Sequence, residues 1–362
     1  MALLVVAYPP FILTLAAGLL GLAWKLVTLR LAILYLWGTA LFAVLLALAL
    51  LCSLALLLWR LRHEPPAGIV LRPQNNPAVF ELIRRIARRL RVEPPGVVLI
   101  QPGQAAAIGC FDVSDAGQKT REHVLMLGVL DILNASAAEL AAIICHELAH
   151  AAAWDTWVSR GVFRFYMAMG AALCVHDPDD DKNGSLLAWT VHLPLLGYFY
   201  LFTLLYLNDC REREWRADRV AAQICGPQHT RDMLRKTHRL AKLPELAIER
   251  LAADAAARDN PPESVYDLFR ERCASLSPKR WDAAENEAFM EPRTIWSTHP
   301  NLADRFQRLA TVSASELPSQ RPACELFLDW KRIEREMSAR LLAAEQARQR
   351  QFDRELDRIL RR

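Results

Sequence analysis

The sequence lacks several features that would place it in a familiar class of protein. Its formal net charge is only +4, from 44 Lys and Arg against 40 Asp and Glu residues, so it has no basic excess for binding nucleic acid. Its eight cysteines form no CxxC pair and no close cluster, which argues against a disulfide framework and a cysteine zinc site and is typical of a reducing compartment. With 53% hydrophobic and 23% charged residues, the 362-residue chain is not disordered, and its length allows about two domains.

Charged residues are missing from two long stretches near the N-terminus, residues 2–24 and 31–59. At 1.5 Å per helical residue, even the shorter stretch could reach roughly 35 Å, which is enough to span a bilayer. The first cation, Lys25, follows the first apolar stretch instead of preceding it. We therefore expect a retained membrane anchor and not a cleaved signal peptide.

Two further hydrophobic stretches, residues 165–176 and 186–208, predict a membrane hairpin. The connection between them, residues 177–185, is acidic. Arginines flank the hairpin on both sides: Arg160, Arg164, Arg211, Arg213, Arg216 and Arg219. By the positive-inside rule, the acidic turn lies outside and the bulk of the chain, with both termini, in the cytoplasm. The sequence thus predicts a mainly α, multi-pass integral membrane protein in contact with membrane lipid, with about four transmembrane helices.

The residues His146, Glu147 and His150 spell the motif HExxH. Ser136 and Glu139 predict a capping box ahead of a run without Gly or Pro, so the motif should lie on a helix. Residues four apart share a helical face, and both imidazoles can then bind one zinc ion while Glu147 takes a proton from its water. Because the motif arises by chance in roughly one or two chains per hundred of this composition, it is not specific by itself.

A catalytic zinc ion needs a third protein ligand besides the two histidines. Glu214 and Asp218 follow the last hydrophobic stretch and lie four residues apart, on one face of a second predicted helix. Glu214 can complete the ligand set, and Asp218 can accept the outer N–H of a ligand histidine. Such a pair among arginines is usually a solvated helix face, and it indicates a metal site only together with the HExxH motif.

The order of these features resembles the HtpX-like membrane zinc endopeptidases, relatives of the type I CAAX prenyl proteases. The resemblance covers roughly residues 70–312 and includes Thr298, His299 and Pro300 ahead of a helix with Arg305. It implies a gluzincin-like α+β core with a small β-sheet and one Zn²⁺ per chain. The implied zinc ligands are His146, His150 and Glu214. The implied roles of the other site residues are general base for Glu147, support of a ligand for Asp218, and donor to the developing oxyanion for His299, with Arg305 in reserve.

Five regions follow from this reading. They are two transmembrane helices (1–60), a first catalytic part with the HExxH helix (61–158), the membrane hairpin (159–209), a second catalytic part with the ExxxD helix and Thr-His-Pro loop (210–312), and a charged tail (313–362). The tail lies outside the resemblance. Its residues 328–362 predict a long amphipathic helix, and the acids among its bases favour packing or self-association over membrane binding.

The sequence departs from the family on the edge strand that pairs with substrate. Where relatives have an Asn-Ala-Phe-Ala-like stretch, this chain has Gln104, Ala105, Ala106 and Ala107, followed by Ile108 and Gly109. The main chain can still pair with an extended peptide. The substrate preference of relatives is therefore not transferred to this chain.

The first functional hypothesis is a membrane-anchored zinc metalloendopeptidase that cuts protein or peptide substrates, chiefly unfolded segments of membrane proteins in quality control. The second is an intramembrane, site-2-type protease. That class would take its third ligand from an Asp in a later hydrophobic segment, and residues 186–208 contain none. The third is a catalytically inactive membrane scaffold that recruits partners through the C-terminal helix, although every expected catalytic residue type is present.

Overall fold

A computed structural model describes residues 2–28, 44, 67–115, 118–152, 166, 170, 173, 186–258, 260, 262–292, 294, 297, 299–312 and 321–360. The chain divides into two compact units. The first comprises Met1–His63, Trp154–Glu212 and Thr294–His299, and the second Glu64–Ala153, Arg213–Arg293 and Pro300–Arg362.

The described residues form helices and one small sheet, as expected for a mainly α protein with an α+β core. The helices are α1 (Ala2–Thr28), α2 (Pro77–Leu90), α3 (Val129–Asn134), α4 (Ala137–Ala152), α5 (Leu186–Cys225), α6 (Pro227–Ala241), α7 (Ile248–Ala256), α8 (Val265–Ser275), α9 (Pro278–Phe289), α10 (Leu302–Leu309) and α11 (Trp330–Leu360). Short 3-10 turns lie at Pro244–Leu246 and Ala323–Leu326. The strands are β1 (Ile69–Leu71), β2 (Val97–Gln101), β3 (Ala106–Asp115) and β4 (Gln118–Gly128).

The prediction of an integral membrane protein with about four transmembrane helices is wrong for the part of the chain that the structure describes. No helix there combines the length and the apolar character that a membrane crossing requires, which is about 20 predominantly apolar residues. In α5, charged residues begin at Asp209 and continue through the part that joins the second unit. The predicted span 31–59 lies outside the described residues except for Val44, and 165–176 is described only at Tyr166, Gly170 and Leu173. The cytoplasmic location inferred from that topology stays a prediction.

The first unit contains α1 and the residues of α5 up to Glu212. Aromatic rings organise this part of α5. Tyr166 stacks on Phe199 and Tyr206, with ring centroids 5.4 and 5.0 Å apart. Within the same unit Arg211 donates a hydrogen bond of 3.2 Å to the backbone carbonyl of Ser297.

The sheet of the second unit has the strand order β1-β2-β4-β3. β2 and β4 run parallel, while β1 and β3 pair antiparallel with their neighbours. Side chains alternate along each strand, so Val98, Ile100, Leu125 and Leu127 pack into the helical core on one face. The alternate residues Val97, Leu99, Val113 and Val124 form a second cluster. The short apolar runs 97–100 and 124–127 predict strands from the sequence. They lie in β2 and β4, which confirms that prediction, and β4 extends further than its apolar run.

The C-terminal tail is part of the second unit. α11 begins at Trp330 and confirms the predicted long helix. Its first turns bury Trp330, Ile333, Glu334 and Met337 in that unit, and Glu334 forms an ion pair with Arg270 on α8. The amphipathic pattern of the tail therefore reflects the burial of these side chains in the core of the second unit. Self-association through this helix stays a prediction.

Candidate metal centre

The HExxH motif lies on α4, whose start is defined by the predicted capping box. The backbone N–H of Ser136 donates to Glu139 Oε2 at 2.7 Å, and the N–H of Glu139 donates to Ser136 Oγ at 3.3 Å. Lys236 also pairs with Glu139, at 2.7 Å. Every residue from Ala137 to Ala149 is buried, because this helix runs through the middle of the core. The two histidines are thus held by a helix that packs on all sides.

Three side chains converge beside this helix: His146, His150 and Glu214. The two Nε2 atoms are 3.2 Å apart, and each lies 3.5 Å from an oxygen of Glu214. A tetrahedral metal ion with ligands at about 2.0–2.2 Å holds its ligand atoms roughly 3.3–3.6 Å apart. The observed separations match this spacing, and two imidazoles with a carboxylate are a common zinc donor set. The three residues fit a bound metal ion.

Asp218 and Arg305 form a buried ion pair next to His146. Asp218 Oδ1 lies 3.1 Å from His146 Nδ1, on the opposite side of the ring from the Nε2 that faces His150 and Glu214. Arg305, on α10, donates to both oxygens of Asp218, at 2.7 and 2.6 Å, and its Nη2 is 3.4 Å from Glu214. Since Arg305 is only 5% exposed, this bidentate pair is buried. It orients both the carboxylate and the imidazole.

The carboxylates separate the pKa values of the two histidines. Burial lowers the pKa of His146, but Asp218 and Glu214 outweigh it and raise that pKa to about 10. Burial and the neighbouring His146 lower the pKa of His150 to about 4. Burial raises the pKa of Asp218, whereas Arg305 outweighs this and brings it down to about 2. A histidine binds metal only through a neutral imidazole nitrogen, so His146 would have to lose its proton to bind a metal ion.

Glu147 and His299 have different positions in the structure. Glu147 lies on α4 between the two histidines and is 9% exposed. His299 lies on an exposed bend that belongs to the first unit, where its backbone carbonyl accepts a hydrogen bond from Ser297. Thr298 lies outside the described residues. The role of His299 as an oxyanion donor stays a prediction.

The start of the edge strand β3 is held by side chains that the sequence did not single out. Gln104 lies before the strand, and its Nε2 donates to Asp131 Oδ1 at 3.2 Å and to the Thr237 carbonyl at 3.1 Å. Asp131 Oδ2 accepts the backbone N–H of Ala105 at 2.7 Å. Gln104 thus fixes the strand to α3 and α6. Asp131, as an acid among apolar neighbours, was the one signal of this arrangement in the sequence.

A second residue that sequence reasoning missed is His238, on α6. Its Nε2 lies 3.4 Å from Arg305 Nη1. Arg308, one turn after Arg305, stacks over the ring of Trp215 at 3.4 Å. These contacts join α10 and α6 to the part of α5 that carries Glu214 and Asp218. The sequence contains no spacing that would have connected them.

Comparison with known proteins places this site in a family. The model of peptidase family M48 matches residues 73–313, about two thirds of the chain and both ligand-bearing helices. A curated relative, "Protease HtpX homolog" of Acidiphilium cryptum (strain JF-5), is 27% identical over 245 residues, which are 66% of this chain and 75% of that protein. The resemblance drawn from the motifs is confirmed: this chain belongs to peptidase family M48 and is an HtpX-like metalloprotease.

Proposed function

We propose that this metalloprotease is a zinc endopeptidase of class EC 3.4.24, with His146, His150 and Glu214 as the zinc ligands. One observation carries the proposal. The nitrogen and oxygen donors of three residues from two helices converge within 4.8 Å of one another, and Glu147 lies between the two histidines on α4. Three protein ligands leave the fourth position of a tetrahedral zinc ion for water or substrate, as a catalytic zinc site requires.

In the proposed mechanism Glu147 is the general base. When bound, zinc would polarise the scissile carbonyl and lower the pKa of the attacking water. Glu147 accepts the proton of that water and returns it to the leaving amine, which is general acid–base catalysis by one carboxylate. Asp218 and Arg305 keep His146 in one orientation during turnover. His299 is the proposed donor to the developing oxyanion.

The proposed substrates are unfolded protein segments, in which the backbone is free to pair with a strand. β3 is an edge strand of the sheet; among the described residues, its ten residues pair with β4 along one side and with no strand along the other. A peptide in extended conformation can add to such an edge through main-chain hydrogen bonds. A role in protein quality control rests on this substrate class and stays a prediction.

The position of the carboxylate argues against an intramembrane, site-2-type protease. That alternative required a ligand from within residues 186–208, whereas the carboxylate that meets the histidines is Glu214. The inactive scaffold is the alternative that experiment must exclude. An inactive scaffold would have the same three clustered residues, His146, His150 and Glu214, but its function would not depend on Glu147.

The test is digestion of an unfolded model protein by the purified, zinc-loaded chain and its Glu147→Gln variant. This exchange keeps the size of the side chain and leaves all three ligands, but it removes the base. The matched control is Glu212→Gln, an exposed position on the other helix of the site. Zinc content is measured for all three proteins.

We expect the wild type and Glu212→Gln to cut, and Glu147→Gln to retain zinc but lose at least about 100-fold in rate, as removal of a general base typically costs. If all three bind zinc and none cuts, the scaffold alternative is favoured. If Glu147→Gln cuts as fast as the wild type, the proposed base is wrong.

A further inference from the structure

A cavity of about 450 Å³ lies in the second unit, beside the residues that lead into β3. Gly103, Gln104 and Ala105 form one side of it. The rest of the lining is mostly apolar: Leu130, Leu240, Leu243, Leu246 and Ile248, from α3, the end of α6 and the segment up to the start of α7. Gln101 and Glu249 add polar side chains to it. The mechanism proposed above does not use this cavity.

Residues 103–105, which form one side of the cavity, are held in place by backbone hydrogen bonds. Gly128 N–H donates to the Ala105 carbonyl at 2.6 Å, and Leu130 N–H donates to the Gly103 carbonyl at 3.2 Å. A Cβ atom at Gly128 would lie 2.3 Å from the Gly103 carbonyl and 2.4 Å from the Ala105 nitrogen. Only glycine permits this close approach of the two backbones. The segment before β3 is therefore held rigidly against α3.

One turn of α6 contacts both the lining of the cavity and the residues next to His146. On one side, the Thr237 carbonyl accepts the hydrogen bond from Gln104, which lines the cavity. On the other side, His238 contacts Arg305, which binds Asp218 behind the ligand His146. β3 packs against α4, which carries His146 and His150, so a peptide that pairs with β3 extends, at the start of the strand, toward the cavity.

We infer that this cavity receives a bulky apolar side chain, such as Phe or Leu, of the peptide substrate, and that it determines cleavage preference. The inference rests on the proposed peptidase function. In an extended peptide every second side chain points to the same face, so a residue that pairs with the start of β3 can face the cavity. The volume is sufficient, because an apolar cavity of about 150 Å³ already binds benzene. The small side chains of Ala106 and Ala107 add no steric barrier along the strand.

The test fills the cavity from its rim. Ala241 is an exposed lining residue at the end of α6, and Ala241→Trp places a large side chain there without removing a core contact. The matched control is Ala283→Trp, an exposed alanine on α9 that does not line the cavity. Two sets of peptides are compared, in which Phe or Ala is moved through each position on both sides of the cut.

At one position we expect the wild type to prefer Phe over Ala by about tenfold or more in kcat/KM, the usual size of selection by an apolar pocket. Ala241→Trp should remove this preference, mainly through KM, and should change the rate for the Ala peptide by less than about twofold. Ala283→Trp should retain it. The absence of any apolar preference, or its persistence in Ala241→Trp, would overturn the inference.

Peptide binding to the Glu147→Gln protein gives a second readout that does not need turnover. Adding Ala241→Trp should weaken binding of the Phe peptide about tenfold and leave the Ala peptide unchanged. If binding shows this pattern but the wild type never cuts, the cavity is a peptide site and the proposed peptidase mechanism is wrong. If cleavage depends on Glu147 but Ala241→Trp leaves binding of the Phe peptide unchanged, the peptidase mechanism stands and the cavity has no role in substrate binding.

Discussion

At the scale of single residues, Asp218 contributes both to the stability of the fold and to the orientation of His146 in the candidate metal site. It is 2% exposed and lies between His146 and Arg305. Replacing it by Asn leaves the buried guanidinium of Arg305 without its closest anion, and breaking a buried pair in this way costs roughly 3–5 kcal/mol.

We therefore predict that Asp218→Asn lowers the free energy of unfolding by several kcal/mol and weakens zinc binding by about 10- to 100-fold, as loss of a histidine's supporting carboxylate does. Urea unfolding and competition with a zinc chelator measure the two effects. Asp282→Asn, on the exposed face of α9, is the control and should behave as the wild type. Unchanged zinc affinity in Asp218→Asn would contradict the supporting role.

A second prediction at this scale concerns Asp131 and the pH dependence of the free energy of unfolding. Burial raises the pKa of this carboxyl from 3.8 to about 6, although hydrogen bonds from Ala105 and Gln104 oppose the shift. An acid whose pKa is raised by folding stabilises the fold below its unfolded pKa and loses that contribution as pH rises through its folded pKa. The free energy of unfolding should thus fall between about pH 4 and 6, by on the order of 3 kcal/mol for this group.

The control for this effect is Asp131→Asn, which cannot ionise. The difference in urea midpoint between the wild type and Asp131→Asn should change across this pH interval and stay constant above about pH 7. A constant difference throughout would mean that Asp131 is already ionised in the folded protein at pH 4.

At the scale of elements, the close approach of Gly128 determines how β4, α3 and the segment before β3 meet. We predict that Gly128→Ala lowers the free energy of unfolding by more than about 2 kcal/mol, because the added methyl group overlaps two backbone groups that cannot move independently. Thermal unfolding measures the effect. Gly170→Ala is the comparison, since the described atoms nearest to a Cβ there belong to the ring of Phe199, at 4.0 Å. Equal effects of the two exchanges would show that the segment adapts.

Several elements were predictable because their signals are local. The capping box at Ser136 and Glu139 defines the start of α4, and α2 begins directly after Asn76, a residue type that favours helix starts. The side chain of Asn76 does not cap that helix, however. Its Oδ1 accepts the backbone N–H of Leu328, 252 positions away in the chain. A residue with the right local chemistry was thus used for a tertiary contact that no local pattern contains.

At the scale of the whole molecule, the family match ends at residue 313 but the second unit does not. Trp330, Ile333 and Met337 are buried in its core, and each such side chain contributes roughly 1.5–3 kcal/mol. We predict that a chain ending at Val312 is too unstable to bind zinc, whereas a chain ending at Ala344 keeps the thermal stability and zinc content of the full chain. Equal stability of both truncated chains would show that α11 is dispensable for the core.

The sequence by itself determined the parts of this protein that depend on short-range geometry. Residues four apart share a helix face, so HExxH and the pair Glu214 and Asp218 were each predictable as one-sided clusters before any fold was known. The order of those motifs was also enough to recognise the family. No helix in the described part of the chain has the length and apolar character of a membrane span, so the spans predicted from apolar composition are wrong there.

Only the tertiary structure decided which of these local clusters meet. Glu214 reaches the two histidines across more than sixty intervening positions, and Arg305 comes from a third helix to bind Asp218. The cavity beside β3 is likewise formed by segments that are distant in sequence. Contacts of this kind depend on how several helices and a sheet pack to bury apolar surface together, and that arrangement is a property of the whole core and not of any segment.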